Sequence, residues 1–108
     1  MTIDEFQKLI EQLYFSKDKK RGIEGTFIWF VEEVGELARA IRKTRGKRQE
    51  VRSKNQEKLE EEFADCFAWL VTLASLTGIK LDKAIEKYQK GCPKCHKKPC
   101  ACKETRRK

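Results

Sequence analysis

Five carboxylates in two short strings are the residues of this chain best placed to do chemistry. Glu32, Glu33 and Glu36 stand in EEVGE, and Glu62 and Asp65 stand in EFAD. In a helix, carboxylates three or four residues apart share a face. Two such faces brought together make an oxygen cage for a hard cation such as Mg²⁺. All-carboxylate ligation favours Mg²⁺ or Mn²⁺ over Zn²⁺ or iron. Dinuclear iron bundles need Glu-x-x-His pairs, and the one histidine, His96, lies near the C-terminus. A cation of this kind normally works on phosphate oxygens. Glu-rich helical faces are also common as plain solvated surface. Here the acids flank apolar stripes, and the nearest downstream cation to the first string is Arg39. Carboxylates concentrated without cations repel one another unless a metal sits among them.

A second group is made of sulfur. Cys92, Cys95, Cys100 and Cys102 are spaced C-x2-C-x4-C-x-C within GCPKCHKKPCAC. Two close thiolate pairs suit a tetrahedral, structural Zn²⁺, and four sulfurs would leave no open catalytic position. His96 could replace one Cys. The short spacing implies a tight loop or ligands drawn from two chains. The competing reading is a disordered or redox-active thiol tail.

These groups need elements to position them. Thr2 and Glu5 fit a capping box, and Ile3, Phe6, Leu9, Ile10 and Leu13 recur at helical spacing, predicting a helix to about Phe15. Ser16 to Gly25 is charged, contains Gly22 and Gly25, and reads as a loop. Thr26 is the expected N-cap of a second helix, whose core stripe is Phe27, Phe30, Val31, Val34, Leu37, Ala38 and Ile41. Trp29, Glu33, Glu36 and Ala40 form the neighbouring stripe. Lys43 to Gln56 reads as an exposed connection. A third helix runs from about Glu57 to Thr77, with Leu59, Phe63, Cys66, Phe67, Leu70, Leu73 and Ala74 as its core stripe and Glu62, Asp65 and Trp69 along one edge. Cys66 reads as a small core residue. Gly78 is the natural C-cap, and Leu81, Ala84, Ile85 and Tyr88 give a short fourth helix. The expectation is an all-α four-helix bundle over residues 1–90, with a cysteine-rich basic tail over 91–108.

The net charge of +8 resides in that tail. Residues 1–86 carry sixteen basic and sixteen acidic side chains, whereas 87–108 carry nine basic ones and Glu104. Such a tail could contact nucleic acid or concentrate anionic substrate, or be a solvated terminus. A chain of 108 residues builds a small core, so a homo-oligomer, dimer or tetramer, is expected. No segment approaches the ~20 apolar residues of a membrane span, and the N-terminus lacks a signal-peptide plan. A cytoplasmic location is the default expectation.

With both acidic strings on helices of a small all-α chain, the sequence resembles the MazG-type nucleotide pyrophosphohydrolases. That family carries Glu-Glu-x-x-Glu and then Glu-x-x-Asp, here Glu32-Glu33-Val34-Gly35-Glu36 and Glu62-Phe63-Ala64-Asp65. The resemblance spans roughly residues 1–90. It implies cleavage of a nucleoside triphosphate between the α and β phosphates, giving monophosphate and pyrophosphate. By resemblance Glu33, Glu36, Glu62 and Asp65 hold Mg²⁺ and Glu32 is the general base. Glu61, beside the second motif, is a candidate to support the ligands from behind. Trp29 and Trp69 could stack on a base or be packing. Lys87 matches a basic position that the family sets against the phosphates. The Arg often found a few residues later is replaced by Lys90 and Gly91. Two other functions stay open: a phosphoribosyl-ATP or dUTP/dCTP-specific pyrophosphatase, and a zinc-stapled nucleic-acid-binding module on a helical oligomerisation scaffold.

Overall fold

The computed structural model describes residues 1–44 and 54–104. Helix α1 spans Ile3–Thr44, α2 spans Lys54–Leu76, and the short α3, Leu81–Ala84, passes directly into a 3₁₀ turn, Ile85–Tyr88. No strand occurs among the described residues, so the fold is all-α as expected. The count of helices differs from the expected four. The segment read as a loop, Ser16 to Gly25, is helical except at one residue, and the first two expected helices are two halves of α1. Its Lys and Arg residues are good helix formers, and they carry the helix up to the break.

The break is Gly22, at φ 85° and ψ 174°, a region that is essentially glycine-only. Gly22→Ala is expected to cost about 1–3 kcal/mol, read as a lower midpoint in urea, although open space surrounds the position. Thr26 is not the N-cap. It is fully buried, and its hydroxyl donates to the Gly22 carbonyl at 2.7 Å. The true N-terminal cap is the expected capping box. The Thr2 N–H donates to Glu5 Oε1 at 2.9 Å, and the Glu5 N–H donates to Thr2 Oγ1 at 3.0 Å.

Helix α1 packs chiefly on α2. Near the N-terminus a buried amide stitches three elements together. Gln7 Nε2 donates to Ser75 Oγ at 3.1 Å and to the Ile79 carbonyl at 2.8 Å, and Gln7 Oε1 accepts the Leu81 N–H at 3.0 Å. The end of α2 is closed as expected at Gly78, with the Ile79 N–H donating to the Ala74 carbonyl at 2.8 Å. The α2 start at Lys54 is earlier than expected, and residues 45–53 of the expected exposed connection lie outside the described residues.

Helix phase holds the main surprise. In the second half of α1 the buried positions are Thr26, Ala40 and Thr44, and Gly25, Phe30, Glu33, Glu36 and Leu37 are half-buried. The expected core stripe is instead largely open: Phe27, Val31, Val34 and Ile41 are all exposed. On α2, Glu62, Cys66, Val71, Thr72 and Ala74 are buried, while Phe63, Phe67 and Leu70 are exposed. Within one chain, α1 and α2 therefore meet through the carboxylate-bearing stripes, and much of the apolar stripe on each faces outward.

Candidate metal and nucleotide site

The inward turn of these stripes brings the two motifs together. One carboxylate oxygen from each of Glu33, Glu62 and Asp65 lies within 4.8 Å of the others. Glu33 comes from α1, and the other two from adjacent turns of α2. Glu62 is 3 % exposed. Its Oε1 takes the Lys58 ammonium at 3.0 Å, and its buried Oε2 has no hydrogen-bond partner. Burial pushes the Glu33 carboxyl up from its ordinary value, and the charges of Asp65, Glu62 and Glu36 push it further. Burial pushes the Cys66 thiol up, and the charges of Glu33, Glu62 and Asp65 push it further.

The remaining acids stand differently. Glu36 turns to Arg39, whose Nη1 donates to both its oxygens, at 3.1 and 3.3 Å. Glu32 is exposed, on the same face of α1 as Glu36 one turn on. Glu61 is exposed and reaches the same Lys58 ammonium at 3.9 Å. Among the described residues, Arg39 pairs with an acid of the first motif and Lys58 with one of the second. Neither offers a donor to Glu62 Oε2.

A cavity of about 310 Å³ opens beside Asp65, lined by Ile10, Tyr14, Lys17, Asp18, Arg21, Ala68, Trp69 and Thr72. Trp69 lines it and meets Trp29 edge to face, with ring centroids 5.5 Å apart. The Arg21 guanidinium lies 4.8 Å from the centroids of both indoles, a cation–π arrangement. It is held there by an ion pair to the buried Asp18 and by Nε donating to Thr26 Oγ1 at 3.0 Å. Thr72 of α2 donates to Asp18 Oδ2 at 3.2 Å. Lys87 lies elsewhere, on the 3₁₀ turn, with its Nζ over the Tyr88 ring at 5.1 Å.

Asp18 and Arg21 were missed by the sequence reading because their segment looked like a solvated charged loop. A signal was present. Asp18 and Arg21 are spaced i,i+3, which pairs them only if that segment is helical.

The tail cysteines also converge. One sulfur from each of Cys92, Cys95, Cys100 and Cys102 lies within 4.8 Å of the others, all in one chain. The N–H groups of Cys95 and Lys94, with the Cys100 thiol, pull the Cys92 thiol down to about 6. Hydrogen bonding to the thiols of Cys100, Cys95 and Cys92 pushes Cys102 up to about 12. His96 is not a member of this group. Arg106, Arg107 and Lys108 lie outside the described residues.

The chain is thus an all-helical protein in which carboxylates from its two main helices come together. The chain belongs more narrowly to the MazG nucleotide pyrophosphohydrolase domain family, whose model matches residues 21–96. The match begins at Arg21 and includes both acidic motifs. A comparison with curated proteins found no match. No single helix among the described residues is long and apolar enough to cross a membrane.

Proposed function

We propose that this protein is a Mg²⁺-dependent pyrophosphohydrolase that cleaves nucleoside triphosphates between the α and β phosphates. The observation that carries the reading is the group Glu33, Glu62 and Asp65, with the buried, unpartnered Oε2 of Glu62 among them. A buried carboxylate oxygen without a donor is costly, and like charges this close are mutually unfavourable. Both costs are relieved by a hard cation, so the donor set fits Mg²⁺ or Mn²⁺. Glu33, Glu62 and Asp65 would hold it, and Glu36 would join by leaving Arg39, which is an exposed and weakly held pair. When bound, the ion supplies Lewis acidity toward phosphate oxygens and lowers the pKa of a coordinated water.

The protein's own groups do the rest. Glu32, exposed beside Glu33 in sequence and one turn before Glu36, takes the proton of the attacking water. Lys58 stays on Glu62 and fixes its orientation, and Glu61 holds Lys58 from outside. In the cavity, Tyr14 and Trp69 offer ring surface to a base, and Lys17 offers a cation to anionic groups. Trp29 does not line the cavity, so it acts by holding Arg21. Lys87 serves the phosphates only if the 3₁₀ turn is brought to the site.

The active unit is a homo-oligomer, at least a dimer. Support comes from the exposed stripes Phe27, Val31, Val34, Ile41 and Phe63, Phe67, Leu70, which a second copy would cover with matching surface. Light scattering is expected to give a dimer or tetramer for the parent, and a monomer for Val31→Glu/Phe63→Glu. A monomeric parent rejects the oligomer.

The experiment for the activity is a panel of canonical and damaged nucleotides, with dUTP, dCTP and phosphoribosyl-ATP included, incubated with Mg²⁺ and scored for pyrophosphate. Pyrophosphate with the monophosphate is expected, and its loss in Asp65→Asn or Glu36→Gln. Orthophosphate release, or unchanged rates in both variants, rejects the reading.

A further inference from the structure

We propose that Cys92, Cys95, Cys100 and Cys102 of one chain bind a single structural Zn²⁺ in a closed tetrathiolate site that folds the C-terminal tail. The spacing of the sulfurs fits such an ion. Cys92 Sγ and Cys102 Sγ are 3.9 Å apart, as are Cys95 Sγ and Cys100 Sγ, and all four sulfurs fall within 4.8 Å of one another. A Zn–S bond of about 2.3 Å sets the sulfurs of a regular tetrahedron about 3.8 Å apart. A disulfide would need about 2.05 Å, and all five cysteines are free thiols.

The backbone around the sulfurs is built like a metal knuckle. The Ala101 N–H donates to Cys95 Sγ and the Cys102 N–H to Cys100 Sγ, both at 3.3 Å. The first pair sits on a tight loop. The His96 N–H donates to the Cys92 carbonyl at 2.7 Å, and the Cys92 N–H donates to the Lys97 carbonyl at 3.1 Å. His96 takes a left-handed conformation, φ 60°. The loop closes on Gly91, at φ 102°, where a Cβ would stand 3.0 Å from the Lys97 carbonyl oxygen. No other residue fits there without strain.

Apolar packing does not hold this shape. Among the described residues from Lys83 to Glu104, none is buried, so the tail has no apolar core of its own. Four convergent sulfurs without an ion would be a poor reason for the chain to adopt such a loop. With an ion, binding energy becomes folding energy. Soft thiolates select Zn²⁺ over the Mg²⁺ and Mn²⁺ suited to the carboxylates, so the two metal groups do not compete for one ion. A tetrathiolate shell leaves no open position, which makes this ion structural. Cys66, buried between the main helices, takes no part.

The test uses the full chain, purified without tags, loaded with zinc and dialysed against zinc-free buffer with Mg²⁺ present. Elemental analysis is expected to give roughly one zinc per chain, released when a mercurial reagent titrates the thiols. Cys95→Ser and Cys102→Ser are expected to lose it while the helical circular dichroism persists, and Cys66→Ala is expected to keep it. Cobalt in place of zinc is expected to give the intense visible bands and thiolate charge transfer of a tetrahedral sulfur site. Zinc content near zero, zinc kept by both serine variants, a pale octahedral cobalt spectrum, or stoichiometric iron in place of zinc would each overturn the proposal. None of these readouts depends on nucleotide hydrolysis, so the outcome is separate from that of the carboxylate site.

Discussion

Glu62→Gln is expected to cut pyrophosphate release by at least about 100-fold and, in the same protein, to raise the melting temperature measured without divalent cations. Both effects come from one atom. Glu62 Oε2 is buried with no donor, beside Glu33 and Asp65, and such an oxygen costs about 1–3 kcal/mol. Glutamine removes the charge and can donate toward Glu33. The loss of the Lys58 pair leaves no buried cation behind, because the Lys58 side chain is 57 % exposed and returns to water. A net gain of about 1 kcal/mol follows, or roughly 4–8 °C for a domain of this size. Parent protein should gain stability with added Mg²⁺, and the variant should not. Calorimetry with and without Mg²⁺, beside the pyrophosphate assay, checks all three statements. A variant that is both active and less stable would mean that Glu62 is a structural carboxylate paired to Lys58.

That atom also shows what the sequence could and could not reveal. The carboxylate spacing and the all-α class were legible, because i,i+3 and i,i+4 spacing is a property of the helix itself. The capping box at Thr2 and the stop at Gly78 were legible for the same reason: both are local. The inward face of each helix was not. Phe27, Val31 and Val34 look like core because apolar periodicity reports what must be buried somewhere, and is silent on whether the same chain or a second copy does it. Glu33 and Glu62 look like the flank of a seam and turn out to face the partner helix. The break between the halves of α1 was misread for a related reason. Two glycines and a run of charge mark a loop on average, yet Asp18, Arg21 and Thr26 find buried partners that outweigh that local preference. Gln7 is a further case, since one amide bonds to residues 68 to 74 positions away, a pairing no local pattern encodes.

The network at the break carries the second large expectation. Asp18→Ala is expected to destabilise the protein by about 3 kcal/mol and to lower the melting temperature by more than about 10 °C. Asp18 is 5 % exposed and accepts from both Arg21 and Thr72, so it joins α1 to α2 as well as fixing the guanidinium. Its removal leaves Arg21 mostly buried with Thr26 Oγ1 and two indole faces, none of which neutralises the charge. An uncompensated buried charge is what makes breaking such a pair expensive, and removing both partners should then cost less than the sum. Asp18→Ala/Arg21→Ala is accordingly expected to recover part of the loss. Tryptophan emission should shift in Asp18→Ala, since both indoles pack against the displaced group. Because Asp18, Arg21 and Trp69 line the cavity beside Asp65, the surviving enzyme should show a raised KM for nucleotide with a smaller change in kcat. Strict additivity in the double variant, or a melting temperature within 2–3 °C of the parent in Asp18→Ala, roughly 0.5 kcal/mol, would reduce the network to surface decoration of the break at Gly22.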